Sequence, residues 1–127
     1  MKGEPSRRVE LQQGVDAVER AFGETDGDLT AVQHQAIVAN TTSRFRNEEP
    51  ASDLPAEFSP LLHKLALHAY KVTDKDVAHL QEIGYSDDAI FELIVGGSLG
   101  AGLATWEDGL SAIDAFFVGE QEEKDAA

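Results

Sequence analysis

The stretch Val72–Gly102, VTDKDVAHLQEIGYSDDAIFELIVGGSLGAG, decides the fold. Its first half is a helix with both ends written into it. Thr73 is placed as N-cap, Asp74 and Asp76 put negative charge at the positive end of the dipole, and Val72 is spaced to staple onto Val77. Gly84 is the residue expected to end it, with Tyr85 folding back on Leu80. Ser86 then caps a second helix at once, with Asp87 and Asp88 in its first turn and Tyr85 spaced to staple onto Ile90. Two helices joined so tightly lie side by side or cross steeply.

The second of them opens IFELIVGGSLGAG. Four glycines, at 96, 97, 100 and 102, together cost about 4 kcal/mol of helix propensity. Gly96 with Gly100, Gly97 with Ala101, and Ser98 with Gly102 put small groups one turn apart. That spacing predicts a small-residue-rich helix at about 87–103, continuous or slightly bent, against which a neighbouring backbone packs closely. A break at Gly96–Gly97 is the competing expectation. GGSLGAG superficially resembles a phosphate-cradling loop, but it follows an apolar helix and lacks the P-loop lysine.

Downstream, Thr105 recaps or continues the helix, and Trp106, Leu110, Ile113 and Phe117 repeat at four, three and four. Residues 119–127, GEQEEKDAA, predict a disordered acidic tail. Upstream, Ser59–Pro60 predicts the start of a helix to about Lys71, serine as cap and proline at the first helical position. Leu61, Leu65, His68 and Val72 form one stripe of it, and Leu62, Ala66 and Ala69 the adjacent one. Residues 46–58, with two prolines and no period, predict a surface connection. Before that, Thr30 with Gln33 fits a capping box for a helix to about Arg44, with Leu29, Val32, Ala36 and Ala39 on one face. The turn GETDGD separates it from a helix over Arg7–Phe22, striped by Leu11, Val15, Val18 and Phe22, and residues 1–6 read as a loose terminus.

No sustained alternating pattern occurs anywhere, so the fold class is all-α: a compact bundle of five or six helices in one domain, 1–127. Residues 7–45 hold the N-terminal helices and 59–118 the core. The chain's 127 residues suffice to bury a core. With no cysteine, disulfides, thiolate metal sites and thiol nucleophiles are excluded. A formal charge of −14 repels phosphate backbones and argues against nucleic-acid binding. MKGEPSRR is no signal peptide, and no run approaches about eighteen apolar residues, so neither export nor a membrane span is expected. A soluble, cytoplasmic protein is the default.

Few residues carry chemistry. His68 lies on an apolar stripe, where an imidazole is ordinarily a satisfied packing group. Asp76 and His79 share a face of the Thr73-capped helix, but a carboxylate-x-x-His pair is half of a di-iron site and no second copy exists. No metal and no cofactor are therefore expected. Ser59 and Ser86 are accounted for as caps and Ser98 as a small packing residue, which leaves acid–base chemistry by histidine, aspartate or tyrosine as the enzymatic route.

Residues 61–113 resemble the core of the alkylhydroperoxidase D and carboxymuconolactone decarboxylase superfamily. The likeness rests on Gly84-Tyr85-Ser86-Asp87-Asp88-Ala89-Ile90, which matches the family's turn into a long small-residue-rich helix. In the peroxidase members a Cys-x-x-Cys pair is followed by a histidine and preceded by a glutamate on the previous helix. Counting back from Gly84 puts the cysteine positions at Ala69 and Val72 and the histidine position at Asp76. Counting forward with Lys64 at the glutamate position puts the cysteines at Asp76 and His79 instead. Neither register finds sulfur, so the resemblance implies the scaffold without thiol peroxidase chemistry. The decarboxylase members do not need the pair, and by that analogy His79 is a candidate base with Asp76, His68 and Tyr70 nearby. The resemblance also implies a homo-oligomer, dimer, trimer or hexamer. The leading expectation is thus an oligomeric binding or scaffold protein open to a small-molecule ligand. The alternatives are an acid–base enzyme of decarboxylase or isomerase type using His79, and a metal-dependent activity.

Overall fold

Helix-favouring sequence with strong local caps gives a succession of helices joined by short connections. A computed structural model describes residues 7–50 and 53–126, with side chains as far as residue 119. The expected loose terminus, 1–6, lies outside them. The chain forms α1 (Arg7–Glu24), α2 (Ala31–Phe45), α3 (Ser59–Leu67), α4 (Asp74–Ile83) and α5 (Asp87–Ala126), with 3₁₀ turns at Ala56–Phe58 and Ala69–Lys71. No strand occurs among the described residues, so the all-α expectation holds.

The stretch from Val72 to Gly102 behaves as its caps dictate. The Asp76 carboxylate reaches back to accept from Thr73 N at 2.9 Å. Gly84 ends α4 in the left-handed region at φ 119°, and Tyr85 N donates to Leu80 O at 3.1 Å. Ser86 Oγ accepts from Ala89 N at 3.0 Å, which starts α5. Gly96–Gly97 does not break α5; it is one continuous helix.

The core lies between α5, α2 and α3. Ile37, Leu61, Leu62, Leu65, Leu80 and Leu93 are all buried there. The glycines of α5 explain how closely α2 and α3 approach. A Cβ on Gly96 would fall 2.8 Å from Ile37 and Phe22, and one on Gly97 2.6 Å from Leu65 Cδ1. A Cβ on Gly100 would overlap Thr41 Oγ1 and the Val38 carbonyl oxygen. Gly102 has open space around it, so the expected Ser98–Gly102 contact is not part of this packing.

Five sequence expectations are corrected. The buried face of α2 is His34, Ile37, Val38, Asn40 and Thr41, not the stripe through Val32, which is 75% exposed. Phe58, assigned to a surface connection, is buried in the core against Tyr85, ring centroids 5.0 Å apart. Ser59 does not cap α3: its backbone is already helical, and its hydroxyl accepts from Arg44 at 2.8 Å. That helix also stops at Leu67 rather than Lys71, because His68 leaves helical geometry at φ −147°. Finally, the acidic tail expected to be disordered continues α5 to Ala126; after Gly119 its Glu, Gln, Lys and Ala residues are all good helix formers with no stop signal.

Residues 87–119 of α5 are long and apolar enough to cross a membrane by length and composition, with mean hydropathy 1.4 over the best window. The run of apolar residues missing from the sequence reading is assembled here by glycines and alanines. That window is 44% buried inside the bundle.

Candidate functional site

The four residues expected to carry chemistry fall in three places. His68 sits at the end of α3 with its ring edge-on to Tyr70, centroids 6.0 Å apart, and to His63 at 6.2 Å. Tyr70, on the following 3₁₀ turn, is 81% exposed, and Lys71 Nζ lies 5.9 Å over its ring. His79 is exposed on the surface of α4. Asp76 is taken by Lys64, whose ammonium donates to both carboxylate oxygens at 2.8 and 3.0 Å. Neither of the two clefts described below is lined by any of the four. The Tyr85 hydroxyl, by contrast, is pushed up to about 12 by burial and by its 2.6 Å bond to Glu57, which keeps it protonated at neutral pH and unfit as a base.

The Lys64–Asp76 pair makes the stability of the α3–α4 corner pH-dependent. The Lys64 ammonium, then the Thr73 amide, hold the Asp76 carboxyl below its ordinary value. A depressed folded value means that the stabilisation is fully present above the unfolded value, about 3.9. It is lost as pH falls through the lower folded value. Asp76→Asn is therefore expected to flatten the acid side of the stability–pH profile by about 1 kcal/mol between pH 5 and pH 2 in urea titrations. Parallel wild-type and variant profiles would refute it.

A buried ionisable pair that sequence reasoning missed links α1, α2 and α5. His34, on α2, is 3% exposed, and Phe22 stacks on its ring at 4.2 Å. Nδ1 of His34 lies 3.0 Å from the Phe22 carbonyl oxygen, which can only accept, so that nitrogen carries a proton. Nε2 lies 2.6 Å from Glu92 Oε1 on α5, a short charge-assisted bond with one proton between them. Glu92 also accepts from the amides of Leu29, at 3.1 Å, and Asp28, at 3.0 Å. Gly27 allows this, because any Cβ there would overlap the Glu92 carboxylate. Ser86 Oγ donates to Asp28 Oδ2 at 2.5 Å and ties the same loop to the start of α5. One carboxylate thus holds a histidine, two loop amides and the α1–α2 connection. A signal for it did exist: Glu92 is the lone charge between Asp88 and Glu107. A charge in so apolar a run is ordinarily paired.

Two clefts border this region. One, of about 760 Å³, lies open between α1, α2 and α5, with Asp16, Glu19, Glu24 and Glu107 around Arg20 and an apolar floor at Val38 and Leu103. The second, of about 300 Å³, lies over the His34–Glu92 pair and is walled by Phe22, Phe91 and Val95. Among the described residues no group of three or more His, Asp or Glu could hold a metal ion. Comparison with protein-family models, with curated proteins and with solved structures finds no match.

Proposed function

We propose that this chain is a soluble, cytoplasmic, homo-oligomeric binding or scaffold protein on an alkylhydroperoxidase D-like helical core, without thiol chemistry. The observation that carries the reading is the apolar surface left uncovered on α1 and on the C-terminal half of α5. Leu11 and Val18 of the α1 stripe, and Ile113, Phe116, Phe117 and Val118 of α5, are exposed. Along the chain, the C-terminal half of α5 is tied to α1 by polar contacts, Arg8 to Asp114 and Trp106 Nε1 to Gln12. A helix of about 60 Å with an aromatic, glycine-containing end gains its stability from packing, not from propensity. A second copy covering that end supplies the packing.

The Lys64–Asp76 pair supports the thiol-free core. Lys64 stands at the family's glutamate position in one register of the resemblance and Asp76 at its histidine position in the other, and the two side chains meet at 2.8 Å. A lysine and an aspartate so paired have no free partner for relaying a proton to a thiol, in keeping with the missing cysteines. The acid–base reading centred on His79 draws no comparable support, since His79, His68, Tyr70 and Asp76 share no cleft.

Light scattering coupled to gel filtration tests the proposal. The chain is expected to run as a defined dimer, trimer or hexamer, and Phe116→Glu with Phe117→Glu to shift it to a folded monomer that loses helical signal only from the C-terminal turns of α5. A monomeric wild-type chain overturns the reading. Partition into detergent or vesicles would replace it with a membrane role for α5.

A further inference from the structure

We propose that the cleft over the His34–Glu92 pair binds a small monoamine carrying a single apolar ring. The walls of the cleft set the apolar part. Phe91 is 67% exposed and Val95 37% exposed on α5, and Phe22 of α1 closes the opposite side while stacking on His34. Each square ångström of such surface taken from water contributes about 25 cal/mol, so a flat apolar body gains by lying against these walls. The volume, about 300 Å³, is at the small end of ligand sites and suits one ring rather than two.

The polar groups of the cleft set the head. Its ionisable lining is Asp26, His34 and Glu92, with no lysine and no arginine. His34 has both nitrogens engaged, by Phe22 O and by Glu92. Glu92 offers about four acceptor sites, and the chain uses three of them, for His34, Leu29 N and Asp28 N. Asp26 uses Oδ1 to accept from Ala31 N at 2.7 Å, and stands exposed at the rim. What remains is the second carboxylate oxygen of Asp26, a negative charge at the rim of an apolar cleft. An ammonium group answers both: it donates to Asp26 at the rim and is drawn to the aromatic walls. A carboxylate head would be repelled by Asp26, and a neutral hydroxyl would gain the hydrogen bond but not the charge. The −14 charge of the whole chain steers cations toward the site in the same sense. This inference does not rest on the oligomer proposed above, and the test separates the two.

The experiment is an amide-resolved NMR titration of the full chain with phenethylamine, phenethyl alcohol and phenylacetate. Phenethylamine is expected to shift the amides of Thr25, Asp26, Gly27, His34 and Phe91 to Val95 saturably. Phenylacetate should bind at least about tenfold more weakly, with the alcohol between them. Val95→Trp, which fills the cleft from an exposed position, should abolish the shifts. Asp26→Asn, which keeps an acceptor for Ala31 N, should lower the amine's affinity to that of the alcohol. If the tryptophan variant fails to fold, the asparagine variant decides. A flat titration, an equal response to the three probes, or an amine response unchanged by Asp26→Asn overturns the proposal. A second copy covering Phe91 would give the flat result while leaving the oligomer reading intact.

Discussion

Glu92→Leu is expected to destabilise the fold by about 3–5 kcal/mol, the cost of stranding a buried partner. Leucine fits the apolar run of α5, so volume and helix propensity change little. What is lost is the acceptor on which three donors converge. His34 Nε2 would face no partner in a site 3% exposed, and the amides of Asp28 and Leu29 would lose theirs. In a domain of this size the loss corresponds to a fall in Tm of roughly 10–20 °C. Glu92→Gln separates charge from hydrogen bonding. Its amide oxygen can still accept from the loop, and its NH₂ can donate to Nε2 once the histidine keeps its proton on Nδ1 alone. That variant is expected to lose only about 1 kcal/mol. Chemical denaturation of both variants, with His34→Leu to complete a double-mutant cycle, should show a coupling energy of about 1–3 kcal/mol between the two positions. Glu92→Leu within about 1 kcal/mol of wild type would refute the pair as the clamp of the α1–α2 loop.

How much of this was legible depended on whether the deciding interaction was local. The turn from α4 to α5 could be read because its parts are neighbours: Asp76 answers Thr73, Gly84 supplies a positive φ, and Ser86 answers Ala89. The buried face of α2 could not be read. Hydropathy places His34, Asn40 and Thr41 outside, yet each is buried because a specific partner satisfies it. Thr41 donates back to Ile37 O and Val38 O at 3.3 Å, and Asn40 accepts from Arg44 at 2.6 Å. Phe58 was hidden differently, as one aromatic in a segment without period. The α1 stripe is legible as a stripe, but nothing in its spacing says that Leu11 and Val18 find no cover within one chain.

The candidate chemistry shows the same limit. Spacing correctly puts Asp76 and His79 on one helix, but what faces Asp76 comes from α3, and it is Lys64. His34 and Glu92 stand 58 positions apart, so no motif window contains them both. Only the oddity of one carboxylate in an apolar run pointed to the pair, and it named no partner.

Gly100→Ala is expected to cost about 3 kcal/mol or more, at the upper end for an added methyl group, because of what the methyl meets. A flexible side-chain end could yield. Here the obstacles are the Val38 carbonyl oxygen, which is backbone, and Thr41 Oγ1, in a side chain that is fully buried. Moving α2 away would also stretch the contact of Thr42 Oγ1, which lies 2.9 Å from both Val38 O and Gly100 O. Relief thus requires separating the two helices that form most of the core. Gly102→Ala supplies the control on the same helix. Its position has open space, so alanine there should stabilise, by up to about 1 kcal/mol of helix propensity. Opposite signs two residues apart, measured by urea denaturation, would show that small residues at 100 serve helix contact and not helix flexibility. Equal effects at the two positions would mean that α2 does not lie against α5 at Gly100.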